Sequence, residues 1–401
     1  MSFSCTGQSP VSIVRYYIGK KGKMQALPDI SVKSEGISCF LCCIRSMSLG
    51  KLRIHRRLKG FVSSAMNIRF SLCFVWKKDT IDNRYLWIGR EAEKMGYIAG
   101  IGGANMDIHG RSDHGLIMRD SNPGTLHTTM GGVCRNICEN LARLGSRVKL
   151  ITVVGDDANG REILSGCEAA GIDMSAARVI PGERSSTYVS LMDETGDMLL
   201  AMSDMHIIKQ LDDTLVDESL DVLSNAAMVV VDGNLSAQAV ERLTEVCLAP
   251  LYLDPVSTAW AKEMKPFIGS FDTVKPNRME LEALTDMPVG TLEEVAAACE
   301  KLIHQGVRRV FVSLGAEGMY YHGREGTIHR VARPFDRMVN ATGAGDASMA
   351  GIVWASKQGM TADEILMVGM AAGMIAIASP DTISKDMTPE NIEKMMKEYI
   401  V

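Results

Sequence analysis

The sequence predicts an α/β protein: a three-layer α/β/α domain with a mostly parallel central sheet and a small β lid. Two observations lead to this prediction. From Tyr97 onward, short apolar runs typical of buried strands alternate with longer segments of helical spacing, and such alternation indicates a parallel sheet covered on both faces. In addition, 46% of the 401 residues are hydrophobic, which is enough to build a large core.

The alternation can be followed element by element through the second part of the chain. The segments that favour strands are 97–102, 148–154, 228–231, 251–254 and 309–313. The segments that favour helices are 132–144, 162–170, 237–247, 292–304 and 347–357.

Two segments outside this alternation predict the lid, near residues 108–129 and 185–203. Residues 187–192 and 198–202 favour strands, and the glycine-containing segment between them is typical of a hairpin turn. The stretch near residues 113–129 also departs from the strand-helix alternation. We expect the two segments to form a small antiparallel flap.

Residues 1–94 differ from the rest of the chain in charge. They hold 17 Lys and Arg against 6 Asp and Glu, whereas the remaining 307 residues hold 26 against 42. This acidic balance argues against polyanion binding by residues 95–401, which we expect to form the folded domain. For the basic extension three explanations stay open: translation from a start codon upstream of Met95, an organelle-targeting segment, or an attached regulatory or nucleic-acid-binding piece.

The apolar runs and the cysteines bear on location. No apolar run approaches the roughly 18 residues needed to span a bilayer, so we expect no membrane partner. The five cysteines after residue 95 lie far apart, which fits buried free thiols in a reducing, cytoplasmic setting. Cys39, Cys42 and Cys43 form a C-x-x-C-C cluster, but no second ligand pair follows at zinc-finger spacing, so we expect no zinc there.

The strongest chemical pattern is NATGAGD at residues 340–346, directly before an apolar segment of helical character. Glycines before a helix let backbone N–H groups point at an anion, which the helix dipole also favours. Asp346 would lie beside that anion and could accept a proton from an attacking hydroxyl, as phosphoryl transfer requires. From these residues alone, a glycine-rich turn in which Asp346 only caps the helix fits equally well.

A second set of polar residues surrounds the first predicted strand and the first predicted helix. Asn105 and Asp107 follow the strand, and Gly131, Gly132 and Asn136 stand at the start of the helix. Glycines permit close approach of the backbone, and an amide can both donate to and accept from a hydroxyl. The alternative, a helix start with Asn136 facing solvent, stays open at this point.

Two further patterns follow later strands. Asn277 and Glu280 form an N-x-x-E pattern, and a single glutamate acting through water is sufficient for magnesium, which prefers oxygen ligands and keeps several waters. An ordinary helix-capping pair is the alternative. Ser313, Gly315 and Gly318 close the strand at residues 309–313.

Taken in order, these patterns resemble the signatures of the ribokinase-like (PfkB) carbohydrate kinases, over about residues 97–390. The resemblance implies a ribokinase-like fold and ATP-dependent phosphorylation, with Asp346 as catalytic base and an anion hole formed by Gly343, Ala344 and Gly345. It implies that the sugar is bound by Asn105, Asp107, Gly131, Gly132 and Asn136. It also implies that ATP is bound by Asn277, Ser313, Gly315 and Gly318, and that Mg²⁺ is held by Glu280 through water.

Several details resemble one branch of this family, the pseudouridine kinases. The family motif usually begins with aspartate and its surroundings help to bind a monovalent cation such as K⁺, whereas Asn340 stands here, so K⁺ dependence stays open. An Asn start resembles the pseudouridine branch, as do residues 120–124, 193–204 and 254–257. This implies pseudouridine and ATP as ligands, and we expect a homodimer through the lid. Candidates for contacting the uracil ring or the ribose are Ser121, Asn122, Thr187 and Asp204. The acceptor for the additional ring N–H of pseudouridine could be Asp120, Asp204 or a backbone carbonyl.

Competing functions are less consistent with the sequence. Residues 100–105 (GIGGAN) look like a dinucleotide fingerprint, but the sixth position is Asn rather than Gly or Ala. No G-x-x-x-x-G-K-[ST] loop is present, which argues against a P-loop kinase. A sensor or scaffold would have no need of Asp346, and the main alternative is another kinase of the same family, for ribose, adenosine or another nucleoside.

Overall fold

The computed structural model of the protein describes residues 96–193 and 197–401, together with four short strands among the first 95 residues. Those four strands form two antiparallel pairs. β1 (Val11–Ile13) pairs with β4 (Ile30–Val32), and β2 (Tyr16–Ile18) pairs with β3 (Met24–Ala26). Both pairs are local, because their members are close in the sequence.

The chain divides into two compact units, Met1–Asn83 and Arg84–Val401. Three features of the sequence lie outside the described residues: the cluster of Cys39, Cys42 and Cys43, the domain boundary at Met95, and the middle of the turn at residues 193–197. The role of the basic extension therefore stays a prediction from composition.

The second unit alternates strands and helices along most of its length. Its strands are, in chain order, β5 (Ile98–Ile101), β6 (Asn105–Ser112), β7 (Gly124–Gly131), β8 (Val148–Ile151), β9 (Val153–Gly155), β10 (Ile172–Asp173), β11 (Arg178–Ile180), β12 (Thr187–Met192), β13 (Met198–Asp204), β14 (Met228–Asp232), β15 (Leu251–Asp254), β16 (Thr273–Val274), β17 (Arg309–Ser313), β18 (Met319–Gly323) and β19 (Gly326–Arg330). Its α-helices are α1 (Val133–Arg143), α2 (Ala158–Ala169), α3 (Asp213–Glu218), α4 (Leu220–Asn225), α5 (Ala237–Val246), α6 (Thr258–Met264), α7 (Arg278–Thr285), α8 (Leu292–Gln305), α9 (Ala344–Gln358), α10 (Ala362–Ile377) and α11 (Pro389–Tyr399). Short 3-10 segments cover His206–Gln210, Lys265–Ser270 and Gly315–Glu317. Among the helices described, none has the length and apolar character needed to cross a membrane.

Within the described residues, nine strands form the central sheet, in the order β10-β8-β5-β14-β15-β16-β17-β18-β19. Neighbouring strands from β10 to β17 pair in parallel, and β18 and β19 at one edge run antiparallel. Parallel pairing requires a crossover between strands, which the helices supply. The prediction of a mostly parallel sheet is confirmed.

The two faces of this sheet bury separate hydrophobic clusters. In β14, Val230 packs into the first cluster, whereas Val229 and Val231 pack into the second, because successive side chains of a strand point to opposite faces. Helices α1, α9, α10 and α11 cover the first face, and α5, α7 and α8 cover the second. The predicted three-layer α/β/α arrangement is therefore present.

A separate four-stranded sheet, in the order β13-β12-β6-β7, forms the predicted lid. β6 pairs antiparallel with β7, β12 pairs antiparallel with β13, and β12 joins the two hairpins by pairing in parallel with β6. The early lid segment expected near residues 108–129 contains most of β6 and β7, and residues 113–123 form the loop between these two strands. The lid strand β6 instead begins at Asn105.

Two helices begin earlier than their spacing predicts. α2 begins at Ala158 rather than at residue 162, because the Asp157 side chain accepts a hydrogen bond from Gly160 N–H (2.8 Å) and caps the first turn. α9 begins at Ala344 rather than at Ala347. Gly345 and Asp346 therefore lie inside the first turn of α9.

The predicted strand at residues 148–154 is interrupted at Thr152. β8 stays in the central sheet, whereas β9 leaves it and pairs in parallel with β11. The carbonyl of Thr152 accepts a hydrogen bond from Arg178 N–H at 2.8 Å. The apolar run is continuous in sequence, so it predicts a single strand. The change of partner strand at Thr152 depends on tertiary contacts, which the run does not indicate.

Candidate active site

Charged side chains meet at the carboxyl ends of the parallel strands. Asp232 ends β14, Asp254 ends β15, and Lys275 directly follows β16. Their exposed fractions are 0%, 5% and 3%. Open α/β sheets bind ligands at this edge, so this position marks a candidate site.

The glycine-rich segment at residues 343–346 reaches the same edge at the N-terminus of α9. Gly343 is the N-cap residue, with a φ of 79°, and a Cβ there would lie 2.3 Å from the Thr382 carbonyl oxygen. Ala344 N–H donates to the Ala341 carbonyl over 3.4 Å. The N–H groups of the first helical turn have no intrahelical acceptor, so this helix start can attract an anion.

Asp346 is hydrogen bonded to a residue 210 positions earlier in the sequence. Asn136 Nδ2 donates to Asp346 Oδ2 at 2.8 Å. Asn136 lies on helix α1, which begins directly after Gly132. Gly132 has a φ of 99° and packs tightly against Gly103: a Cβ on Gly132 would lie 2.5 Å from the Gly103 carbonyl oxygen. The structure therefore joins the first helix pattern and the last glycine pattern in one site.

The Asp346 carboxyl holds its proton more tightly than an ordinary aspartate. Burial, and then the negative charge of Asp254, raise its pKa to about 7, while the hydrogen bond from Asn136 and the charge of Lys275 oppose this rise. A carboxylate with a pKa near neutrality is suited to take a proton from a hydroxyl, as a general base must.

Asn105, Asp107 and Gly131 form a second polar group at the base of the lid. Asn105 Nδ2 donates to Asp107 Oδ1 at 2.5 Å, and Gly131 lies opposite Asn105 in the pairing of β6 with β7. A Cβ on Gly131 would lie 2.2 Å from Asp107 Oδ2, so glycine leaves the room that this carboxylate occupies. Three of the residues expected to bind the sugar are therefore neighbours.

Lys275 and Asp254 form a buried ion pair, with Lys275 Nζ 3.1 Å from Asp254 Oδ2. Burial alone would lower the pKa of Lys275, but the charges of Asp254 and Glu280 outweigh it and the pKa is raised. A Cβ on Gly345 would lie 3.6 Å from Lys275 Nζ. The ammonium group therefore lies beside the helix start that attracts an anion.

Asn277 and Glu280 begin α7 as a reciprocal cap. Glu280 N–H donates to Asn277 Oδ1, and Asn277 N–H donates to Glu280 Oε2, both at 2.9 Å. The helix-capping alternative is therefore correct for this pair. It is compatible with metal binding, because the cap uses one oxygen of the Glu280 carboxylate and leaves the other available. Burial and the charge of Asp254 raise the pKa of Glu280, so its carboxylate belongs to the same charged group.

Ser313 lies next to α7, where it forms a parallel bridge with Asn277. Gly315 and Gly318 have φ values of 61° and 89° in the turn that leads to β18. The structure brings Asn277 and Ser313 together. The described contacts do not join Gly315 or Gly318 to Asp346.

Sequence patterns assigned no site role to four residues: Asp232, Asp254, Lys275 and Arg135. Asp232 accepts hydrogen bonds from the N–H groups of Gly103 (2.9 Å) and Cys134 (3.1 Å), and so holds the loop after β5 against the start of α1. Its signal in the sequence is an apolar strand that ends in aspartate, the same signal that marks Asp254.

The candidates for contacting a nucleobase do not share one surface. Asn122 accepts a hydrogen bond from Ile117 N–H (2.7 Å) and orders the loop between β6 and β7, where Asp120 and Ser121 are exposed. Thr187 and Asp204 lie opposite each other in β12 and β13. Both are on the lid face away from Asp107, because Asp107 pairs with Tyr188 rather than with Thr187.

The second unit of the chain is similar to known proteins. Residues 95–389 match the model of the pfkB family of carbohydrate kinases. The chain is 32% identical over 302 residues to pseudouridine kinase of Escherichia coli (strain K12), an alignment that covers 75% of this chain and 96% of that protein.

Solved structures show the same fold. A carbohydrate kinase from Agrobacterium tumefaciens matches with a TM-score of 0.67 at 25% identity, over 77% of this chain and 100% of that one. Ribokinase from Arabidopsis thaliana, solved with ribose and ATP, matches with a TM-score of 0.65 at 22% identity, over 75% and 99% of the two chains. Because the family model spans most of the second unit, the chain belongs to the PfkB family and is a carbohydrate kinase.

Proposed function

We propose that the protein transfers the γ-phosphoryl group of ATP to the ribose 5′-hydroxyl of pseudouridine, giving pseudouridine 5′-phosphate and ADP. The observation that carries this proposal is the Asp346 carboxyl, which lies in the first turn of α9, bonds to Asn136 and has a pKa of about 7. The 32% identity to a pseudouridine kinase supports the choice of nucleoside.

In this reaction Asp346 takes the proton of the 5′-hydroxyl while the hydroxyl oxygen attacks the γ-phosphorus in line. The bond from the γ-phosphorus to the bridging oxygen breaks, and ADP leaves with that electron pair. The backbone N–H groups of Gly343, Ala344 and Gly345, together with the Lys275 ammonium, stabilise negative charge on the transferred group.

Asn105, Asp107 and Asn136 would bind the ribose hydroxyls, and Gly131 and Gly132 would let the sugar approach the backbone. Two contacts support this assignment: Asn105 donates to Asp107 beside Gly131, and Asn136 donates to Asp346. An unmatched buried polar group costs about 1–3 kcal/mol, so a sugar with a different hydroxyl pattern would bind less well.

Asn277, Ser313, Gly315 and Gly318 would bind the nucleotide, and Glu280 would hold Mg²⁺ through water. The fit rests on the carboxylates of Glu280 and Asp254, since magnesium prefers oxygen ligands and keeps several waters. Across the described residues, no group of three or more side chains forms a dedicated metal cage. When bound, Mg²⁺ neutralises charge on the phosphates.

A monovalent cation such as K⁺ would bind near Asn340. The Asn340 side-chain oxygen accepts a hydrogen bond from Thr342 N–H at 3.0 Å, and a neutral amide attracts a cation less strongly than the aspartate usual in the family. Assaying the kinase with and without K⁺ tests this site, and equal rates would contradict it.

The nucleobase would lie against the lid face that carries Asp107. Alternation along β6 places His109 on this face, and Ser190 of β12 lies opposite His109. His109 Nδ1 and Ser190 Oγ are 2.7 Å apart. This contact orients the imidazole ring and leaves Nε2 available to a ligand. We propose His109, in place of Thr187 and Asp204, as the residue that recognises the additional ring N–H of pseudouridine.

The other lid face supports the expectation of a homodimer. Leu126, Leu200 and Met202 are 76%, 56% and 70% exposed, and exposed apolar residues that cluster in this way mark interaction surfaces. A second copy of the chain would cover them with the same surface. Sedimentation is expected to show a dimer that dissociates when Leu200 and Met202 are replaced by serine.

Competition between pseudouridine and uridine tests the proposed function. The two nucleosides carry the same ribose, and sites built around one additional hydrogen bond discriminate by about 10⁴-fold in kcat/KM. The products have the same mass, so chromatography must separate them. Equal efficiency, or preferential phosphorylation of ribose or adenosine, would contradict the proposal and indicate another sugar or nucleoside kinase of the family.

A further inference from the structure

Arg135 lies beside Asn136 on α1 and has no role in the reaction described above. Its side chain is 3% exposed, although arginine is rarely buried. Its Nη1 atom donates two hydrogen bonds, to the Met130 carbonyl at 3.0 Å and to Asn136 Oδ1 at 2.7 Å. Its Nη2 atom pairs with Glu139 Oε2.

These contacts determine which end of the Asn136 amide faces Asp346. An amide has one accepting end and one donating end, whereas a guanidinium can only donate. Because Arg135 occupies the oxygen of Asn136, the Nδ2 group is left to face Asp346, to which it donates at 2.8 Å. In the reversed orientation, the amide oxygen would face the carboxylate and form no hydrogen bond with it.

The guanidinium is itself fixed from two sides. Glu139 accepts from Arg135 and also from Arg143, whose Nη2 atom lies 2.7 Å from Glu139 Oε1. The Met130 carbonyl belongs to β7, one residue before Gly131. Arg135 thus connects the lid strand to the residue that contacts Asp346. A buried ionic network of this kind adds little to stability compared with apolar residues of similar volume, so stability alone does not account for it.

We propose that Arg135 is a positioning residue for phosphoryl transfer, which holds the Asn136 amide in its donating orientation toward Asp346 and ties it to the lid. The proposal rests on the proposed role of Asp346. The hydrogen-bond partners of the Arg135 guanidinium given above are all protein atoms, so its effect on catalysis passes through Asn136.

The test uses the full-length protein with Arg135 and Glu139 both replaced by methionine, which avoids leaving the Glu139 charge with a partner missing. The wild type is assayed with pseudouridine, uridine, ribose and adenosine, and the variant is assayed with the acceptor that the wild type uses best. We expect the melting temperature to be retained and kcat at saturating nucleoside to fall about 10- to 100-fold, as for loss of one oriented hydrogen bond to a charged group. A folded variant with the kcat of the wild type would overturn the proposal.

A double-mutant cycle of Arg135→Met with Asn136→Ala separates positioning from a general structural role. The cycle uses the single Arg135→Met variant, so it can be measured even if the variant with both Arg135 and Glu139 replaced is unstable. If Arg135 acts through Asn136, Arg135→Met lowers kcat in the wild-type background and has less than about a twofold effect in the Asn136→Ala background. Equal effects in both backgrounds would overturn the proposal. Arg161→Met, which removes an exposed arginine of α2, is the matched control.

The two proposals fail in different ways. A wild type that phosphorylates another of the four acceptors contradicts pseudouridine as substrate but leaves the Arg135 cycle fully measurable. A wild type that phosphorylates none of them contradicts both proposals. If the wild type is an active kinase but the effects of Arg135→Met and Asn136→Ala simply add, only the Arg135 proposal is contradicted.

Discussion

The site has two parts that differ in solvent exposure. One is the floor, formed by Asp232, Asp254, Lys275 and Asp346, and the other is the lid. In the floor, the Lys275–Asp254 ion pair is at most 7% exposed in its side chains, and Asp232 is fully buried. In the lid, every residue of β13 is exposed, as is most of β7. Buried charges must keep their partners, because a lost partner is costly, whereas an exposed sheet with few packed neighbours opens more easily.

This difference separates two tasks. A rigid, charged floor suits the chemical step, because preorganised groups stabilise the transition state without having to move. Under the proposed function, a more exposed lid would suit recognition of the nucleoside, because such an element can close over a bound ligand. Substitutions in the floor are therefore expected to change rate or stability, and substitutions in the lid to change the choice of substrate.

The largest effect is expected from Asp346→Asn, which keeps the shape of the side chain and removes the proton acceptor. General-base catalysis contributes about 10²- to 10⁴-fold, so kcat should fall by that factor in a steady-state assay with saturating ATP and nucleoside. Asp336→Asn, an exposed aspartate outside the site, serves as the matched control and should leave kcat unchanged. Near-normal turnover by Asp346→Asn would break the assignment of chemistry to the floor.

Unfolding measurements on the same variant exclude misfolding as the cause. Because the pKa of Asp346 rises from 3.8 to about 7 in the fold, its contribution to stability is present below pH 3.8 and is lost as the pH rises through 7. Removing the charge should therefore raise the free energy of unfolding at pH 8 by up to about 4 kcal/mol. A lower stability of Asp346→Asn would contradict this account of the floor.

The next effect concerns the buried ion pair of the floor. Lys275→Met leaves the Asp254 carboxylate buried without its cation, and breaking such a pair costs about 3–5 kcal/mol. Urea unfolding should show this loss, and adding Asp254→Asn should restore much of it. Lys262→Met, at an exposed lysine of α6, is the control. A loss no larger than that of the control would mean that the pair is not a fixed part of the floor.

The pH dependence sharpens the same comparison. As the proposed base, Asp346 would have to be ionised to accept a proton, and burial together with Asp254 raises its pKa to about 7. The value of kcat/KM should therefore fall about tenfold per pH unit below 7 and level off above it. A profile that stays flat down to about pH 5.5 would show that no group with this pKa limits the free enzyme.

The smallest effect is expected from removal of residues 1–94. Every residue of the floor and the lid lies after Met95, and the family model matches residues 95–389. A chain that begins at Met95 should therefore fold and keep its kcat and KM, as measured by circular dichroism and steady-state kinetics. An insoluble or inactive product would mean that the extension belongs to the folded domain.

Sequence reasoning predicted the core strands well and the lid strands less well, for a physical reason. β14 reads MVVVD and is buried along its length, so its apolar run identifies it. β6 reads NMDIHGRS and mixes buried with exposed residues, so its strand character comes from pairing with β7 and β12 rather than from its own composition. β9 reads VVG and is also buried, so its apolar run predicts a strand but does not indicate that its partner is β11 rather than a strand of the central sheet.

The site shows the same limit. The bond between Asn136 and Asp346 joins residues 210 positions apart, and only the resemblance to a family suggested that they meet. Lys275 gave no signal, because its partner Asp254 lies in a different strand. Arg135 did have one: Glu139 stands four residues later on the same helix, a spacing that brings opposite charges together. The spacing of Arg135 and Glu139 does not indicate that this ion pair is buried beside Asn136.

The measurement that tests the account most directly is the ratio of kcat/KM for pseudouridine to that for uridine, determined by competition in the wild type, in Asp346→Asn and in His109→Ala. If the floor performs the chemistry and the lid selects the base, Asp346→Asn loses rate for both nucleosides and keeps the wild-type ratio. His109→Ala should instead keep most of the rate with uridine and lower the ratio by about 10-fold or more, as expected for loss of one buried hydrogen bond. A ratio that collapses in Asp346→Asn and survives in His109→Ala would contradict the division between floor and lid.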